Sequence, residues 1–162
     1  MQSYIDMAKA AGATDPKLLG EGGTAIVYTS DGLVYKVYDL LENACADFLC
    51  YTQLWDHFPR VRKYLPRIYG VDNNVVIKDF VEGTIYDEND MPGPLSSTMK
   101  KKNRAISQVK KSALELGWDV FDFSYANRVW TGDQWVIIDF YAEPITEETQ
   151  KQVMDCMLSA RH

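Results

Sequence analysis

The sequence predicts an α+β chain, with strands gathered in its first half and helices more prominent in its second. Three observations carry this. Short β-branched and aromatic runs alternate with glycine, asparagine and aspartate turns up to Gly83. Two long segments, 41–58 and 97–116, repeat apolar residues at spacings of three and four. Between them, residues 86–97 are polar and carry two prolines and a glycine, which reads as a linker. At 162 residues with 46% hydrophobic composition, the chain has enough apolar surface for a real core, in one domain or at most two small lobes.

The elements follow in order. Residues 3–14 form a short helix broken by Gly12, and Asp15-Pro16 is a turn. Leu18-Leu19 lead through Gly20-Glu21-Gly22-Gly23-Thr24 into Ala25–Thr29, a strand, a glycine turn and a second strand. Ser30-Asp31-Gly32 is a tight turn before a third strand, Leu33–Tyr38. A helix then runs from Leu41 to Phe58, apolar at Leu41, Ala44, Phe48, Tyr51 and Leu54 or Trp55, and Pro59 ends it. Strands at Pro66–Val71 and Val75–Val81 flank the turn Asp72-Asn73-Asn74. Ser96-Ser97 would cap the next helix, whose inner face uses Met99, Ile106, Val109, Ala113 and Leu116 before Gly117 stops it. Trp118–Asn127 reads as a loop. Arg128–Trp130 and Trp135–Asp139 make a small hairpin, and Pro144 precedes a last helix over Thr146–Ser159.

Charge and cysteine usage narrow the function classes. A net charge of −6 argues against a general nucleic-acid binder. No apolar run reaches the roughly 18 residues of a membrane span. The first residues, Met-Gln-Ser-Tyr-Ile-Asp, lack the basic and apolar regions of a secretory signal. Three cysteines, Cys45, Cys50 and Cys156, make no Cys-x-x-Cys pair, and with two histidines they suit neither a structural zinc nor a disulfide framework. The expectation is a cytoplasmic, reduced protein.

Three features carry chemistry. Gly20-x-Gly22-x-x-Ala25-x-Val27 is glycine-rich, yet β-type sequence follows it, where a dinucleotide fingerprint needs a helix. It also lacks the Gly-Lys-Ser/Thr of a Walker A loop. A glycine hairpin able to fold over phosphates remains, as does a glycine hairpin that binds nothing. Lys36 sits on an inward strand face between Val34 and Tyr38, where an ammonium needs an anion or a route to water. Asp122 and Asn127 are separated by four residues, and Asp139 ends the apolar run Val136-Ile137-Ile138 ahead of Phe140. A carboxylate ending such a strand needs an ion or donors.

In this order the features resemble the protein-kinase-like superfamily, from about Leu18 to Phe140. The resemblance implies a bilobal fold: an N-lobe over 1–83 with a five-stranded antiparallel sheet and one helix, and a much reduced helical C-lobe over 84–162. It implies ATP and Mg²⁺. Gly20, Gly22, Gly23 and Val27 would cover the nucleotide, and Lys36 would reach its phosphates. Lys36 would be held by an acid on the following helix, with Glu42 and Asp47 as candidates and Asp47, two turns in, the favoured one. The stretch Val76–Gly83 resembles the hinge between lobes, so the main chain of Asp79 and Val81 would hold adenine between Val34, Val129 and Ile138. Asp122 would orient the attacking hydroxyl and accept its proton, and Asn127 and Asp139 would hold the metal.

The departures from the pattern matter too. The triplet ending in the catalytic Asp reads Val120-Phe121-Asp122, with no arginine to answer an activation-loop phosphate. Tyr141 stands where Asp-Phe-Gly has its glycine. Only 23 residues follow Asp139, too few for the peptide-docking platform of ordinary protein kinases. Reduced forms of this kind resemble those that bacteriophages encode, which would place the protein in a host cytoplasm. The leading expectation is a phosphotransferase acting on a protein or small-molecule hydroxyl. The alternatives are a pseudokinase that binds or inhibits a partner, and an AMP-transferring relative. Lys100, Lys101, Lys102, Arg104, Lys110 and Lys111 make helix 97–116 basic, either a solvated face or a docking patch for an acidic protein. Trp118, Trp130 and Trp135 are read as packing residues.

Overall fold

In the computed structural model residues 3–86 and 95–160 are described. Helix α1 (Tyr4–Ala10) starts at Ser3, whose hydroxyl accepts the Asp6 N–H at 3.3 Å. Five strands follow in an antiparallel sheet: β1 (Lys17–Glu21), β2 (Ala25–Ser30), β3 (Leu33–Tyr38), β4 (Ile68–Asp72) and β5 (Val75–Asp79), in spatial order β1-β2-β3-β5-β4. The turns are where the sequence puts them. Asp31 and Gly32 both take positive φ (52° and 77°), which suits a two-residue hairpin.

Strand alternation sorts this sheet into two faces. Tyr28, Tyr35, Val37 and Val75 point outward and are buried with Ala8 and Ala13, beneath α1. The Tyr4 hydroxyl donates to the Asp39 carboxylate and so fixes α1 to the end of β3. The register pairs Val34 with Lys78 and Lys36 with Val76, so both lysines share the opposite, inner face with Val34, Tyr38 and Val76. Helix α2 (Leu41–His57) lies against that inner face, with Ala44 in contact with Ala25, Tyr38 and Val76.

Helix α2 is buried on more than the stripe its apolar spacing predicts. Cys45, Asp47 and Cys50 are enclosed along with Ala44, Tyr51 and Leu54. The reason is that α2 is packed on two sides, by the sheet and by the last helix, α4 (Glu147–Ala160). Gln53 and Gln152 are hydrogen-bonded across these two helices at 2.8 Å. The N–H of Asn73 in the β4–β5 turn donates to the Ala160 carbonyl at 3.2 Å. Pro59 ends α2 and also opens a 3-10 helix, Pro59–Tyr64, that buries Val61 and Tyr64.

Helix α3 (Leu95–Glu115) begins before Ser96-Ser97, so these serines lie in its first turn and do not precede it as caps. Ala105, Val109 and Ala113 form its buried face, with Ile106 and Leu116 at the margin, and the Met99 side chain lies outside the described residues. Trp118–Asn127 is not all loop. Trp118–Phe121 is a strand, β6, and it pairs residue by residue with β9 (Tyr141–Pro144), from Trp118↔Pro144 to Phe121↔Tyr141. This pairing joins segments far apart in sequence, which local pattern does not reveal. Between them β7 (Arg128–Trp130) and β8 (Trp135–Ile137) form the small hairpin. One apolar cluster runs through α2, α3, β6, β8, β9 and α4, with Trp118 and Trp135 almost fully enclosed. Among the described residues no helix is long and apolar enough to cross a membrane.

Candidate active site

Lys36 comes off the middle of β3, and its position is set by the alternation that buries Val37 on the far face. Its Nζ lies 2.6 Å from Asp139 Oδ2. The lysine side chain is 7% exposed and the aspartate 32%, so the ammonium is enclosed while the carboxylate keeps access to solvent. The ammonium also stands 4.7 Å from the centroid of the Tyr38 ring. Such a charge-assisted contact is strong where water is scarce.

Asp139 lies two residues beyond the end of β8, and the next residue anchors it. The Phe140 ring stacks on Tyr51 of α2 at 4.5 Å between centroids, and the Tyr51 hydroxyl donates to the Ile137 carbonyl at 3.2 Å. Tyr141 then enters β9, with its ring 4.8 Å from that of Phe121. The residue standing in the glycine position is therefore part of a sheet, which fixes the backbone on the C-terminal side of Asp139.

The other polar residues are tied to the same point. The Ile138 N–H donates to the Asn127 carbonyl at 2.9 Å, which sets Asn127 beside the Asp139 strand. The Asn127 Nδ2 donates to the Asp122 carbonyl at 2.9 Å. Asp122 is exposed and takes φ 71°, a left-handed conformation that costs energy outside glycine. It is held by the β6 strand before it and the Asn127 amide after it.

The expected partner of Lys36 on α2 is corrected. Asp47 is buried in α2, but its Oδ2 accepts from the Tyr38 hydroxyl at 2.5 Å and lies 3.9 Å from Lys78 Nζ. Glu42 forms no ion pair with Lys36 either, among the described residues. The physical reason is that β5 brings a second cation, Lys78, onto the inner face and next to α2. Burial pushes the Lys78 ammonium below its ordinary value, against the pull of Asp47. Burial, then the charge of Asp47, pushes the Tyr38 phenol up, and the Tyr51 phenol is raised for the same reasons. Lys78 carried no role in the sequence reading. Its signal was present, since it has the same parity as the inward Val76, but only the strand register shows where that parity leads.

Val34 and Val129 are buried, and Ile138 is half-buried. Asp79 ends β5, its N–H donating to the Arg67 carbonyl at 2.9 Å and its carboxylate accepting from Tyr69. Val81 lies just beyond. There the chain crosses close to β7: Thr84 and Trp130 exchange two backbone hydrogen bonds of 2.9 Å. A Cβ on Gly83 would fall 2.4 Å from the Trp130 carbonyl oxygen and 2.5 Å from Val129 Cγ1, so only glycine fits.

The glycine loop differs in kind. Gly22 bonds through its N–H to the Ala25 carbonyl at 2.9 Å. A Cβ on Gly20 or Gly23 would meet nothing within 4 Å, and none of the three glycines has positive φ. Neither packing nor backbone conformation demands glycine there, whereas close approach by a ligand would. The oxygen donors of Asn127 and Asp139 likewise fit a hard cation such as Mg²⁺. On α3, Lys101 stands 5.7 Å from the Trp130 ring and Lys110 5.9 Å from the Phe123 ring, while Lys102 is buried.

The architecture is the protein-kinase-like fold. Among solved structures, APH(2")-IIa in its gentamicin complex matches 96% of this chain and 80% of its own, with a TM-score of 0.53 and 11% identity. The Legionella pneumophila Lpg2603 kinase bound to IP6 matches 89% of this chain and 56% of its own, with a TM-score of 0.52 and 16% identity. APH(2")-IIa in a ternary complex with streptomycin and ATP matches 96% and 81%, with a TM-score of 0.51 and 12% identity. No family model matches the sequence, and no curated protein matches it.

Proposed function

We propose that the protein is an ATP- and Mg²⁺-dependent phosphotransferase whose acceptor is a hydroxyl of a small molecule or a protein. The observation that carries this is the Lys36–Asp139 contact of 2.6 Å, which brings together a cation and a carboxylate separated by about a hundred residues of chain. A structural neighbour of the same fold binds ATP in a ternary complex, which supports a nucleotide in the cleft.

The roles follow from position. The glycine backbone at Gly20–Gly23 and the apolar side chains of Val27, Val34, Val129 and Ile138 enclose the nucleotide, and the main chain of Asp79 and Val81 meets the base. Lys36 neutralises phosphate charge. Asn127 and Asp139 would hold Mg²⁺, which when bound would supply further charge neutralisation. Asp122, at the rim, orients the acceptor hydroxyl and takes its proton. Positioning and electrostatics supply the rate, with no covalent step on the enzyme.

Incubation with ATP labelled in its γ-phosphate, alone and with cell extract, tests the reading. Label should move to an acceptor, Asp122→Asn should abolish transfer while retaining nucleotide binding, and Lys36→Ala should weaken both. A thermal shift with Mg²⁺-ATP and no transfer to any acceptor would turn the assignment to a binding module. Absence of both transfer and shift would defeat it.

A further inference from the structure

Lys78 is too costly to be incidental. It is 4% exposed, and apolar side chains of similar volume at 78 and 47 would fill the space at lower free-energy cost. Its ammonium has three donors to place. One goes to the Ile138 carbonyl at 3.0 Å. Another side of the ammonium faces Asp47 Oδ2 at 3.9 Å, and the Tyr51 ring stands 5.2 Å away. The Ile138 N–H is already committed to Asn127. The residue before Asp139 is thus held from both directions, by Asn127 on its N–H and by Lys78 on its carbonyl.

We propose that Lys78 is a positioning residue that aims the Asp139 carboxylate. It neutralises Asp47, the acid a one-lysine arrangement would give to Lys36, and joins α2 to the peptide group next to Asp139. Each lysine on the inner face then has its own aspartate, Lys36 with Asp139 and Lys78 with Asp47. Lys36 keeps no obligation to α2 and answers only to the groups in the cleft. The inference rests on the phosphotransferase reading for what Asp139 does, but the mechanical link stands or falls without it.

The test compares full-length wild type, Lys78→Met and the double variant Asp47→Asn/Lys78→Met. Amide hydrogen exchange should quicken across 136–140 and 44–51 in Lys78→Met and stay unchanged across 4–10, in α1 on the outer face. Turnover of Mg²⁺-ATP should fall roughly 10- to 100-fold, with KM for ATP changed by less than about threefold, as expected when a reacting geometry loosens. The double variant removes the uncompensated charge, so it should regain wild-type stability yet keep the low kcat and the fast exchange at 136–140. If Lys78→Met does not fold, the double variant carries both measurements. Unchanged exchange at 136–140, or a double variant that regains turnover together with stability, overturns the proposal. A wild type that transfers no phosphate refutes the enzyme reading instead, and exchange at 136–140 still decides the role of Lys78.

Discussion

The two faces of the β1–β5 sheet are made by the same strands, residue by residue, and do opposite things. Beneath α1, Tyr28, Tyr35, Val37 and Val75 form an apolar layer that gains free energy by leaving water. One residue over, Lys36, Tyr38 and Lys78 share the inner face with Asp47 and the part-exposed Asp139, and the charges of Lys36, Lys78 and Asp47, taken from water, each need a partner. The outer face explains why the sheet folds. The inner face spends part of that stability holding charges in place, which makes sense if the charges have work to do. The contrast teaches that burial alone does not separate core from site; what the buried groups are bonded to does.

The largest expected effect breaks the inner face. Asp47→Ala takes the acceptor from the Tyr38 hydroxyl and the counter-charge from the Lys78 ammonium, and should cost about 3–5 kcal/mol of stability in urea unfolding. Val37→Ala, on the outer face, deletes only apolar contact and should cost about 2 kcal/mol. If the two losses came out equal, the distinction between the faces would not hold. Gly83→Ala probes the crossing near β7: the added methyl must displace the Trp130 carbonyl, for a cost of about 1–3 kcal/mol, also read from urea unfolding.

The smallest effects lie in the alkaline limb of stability, and there the inner face acts with two signs. Tyr38 and Tyr51 hold their protons above the ordinary 10.0 when folded, so above that pH the unfolded chain binds fewer protons and stability should fall. Lys78 loses its proton below the ordinary 10.5 when folded. Between its lowered value and 10.5 the unfolded chain binds more protons, so this group alone makes stability rise with pH. Urea midpoints measured against pH should show the rising contribution in wild type and lose it in Lys78→Met. Val37→Ala should shift the whole curve without changing its shape.

Much of the fold was legible because its cues are local. Period-two alternation with Ser-Asp-Gly and Asp-Asn-Asn turns marks β2 to β5 to within a residue or two, and helical spacing marks α2 and α3. The β6–β9 ladder was not legible, because Trp118–Phe121 is short and its partner lies beyond a whole hairpin. Pro59 carried two meanings, a stop for α2 and a start for the 3-10 turn, and sequence shows only the first. In the site, Lys36, Asp122, Asn127 and Asp139 were expected from strand parity, spacing and the resemblance, and the structure brings Lys36 to Asp139 and bonds the Asn127 amide to the Asp122 carbonyl. Which acid would meet Lys36 could not, since that depends on Lys78 arriving from a neighbouring strand.

The β6–β9 ladder works like the neck of a drawstring bag. Everything from Asp122 to Phe140 hangs below its last rung, Phe121↔Tyr141, and two acidic side chains, Asp122 and Asp139, sit just inside the opening. The far end of the bag is the Thr131–Asp133 tip of the small hairpin, where Gly132 takes a φ of 110° that favours glycine and has open space around it. Lengthening a free loop costs only about 0.6 kcal/mol per doubling. That tip is therefore where the chain can accept extra residues, a tag or a reporter, while the two carboxylates at the neck keep their spacing.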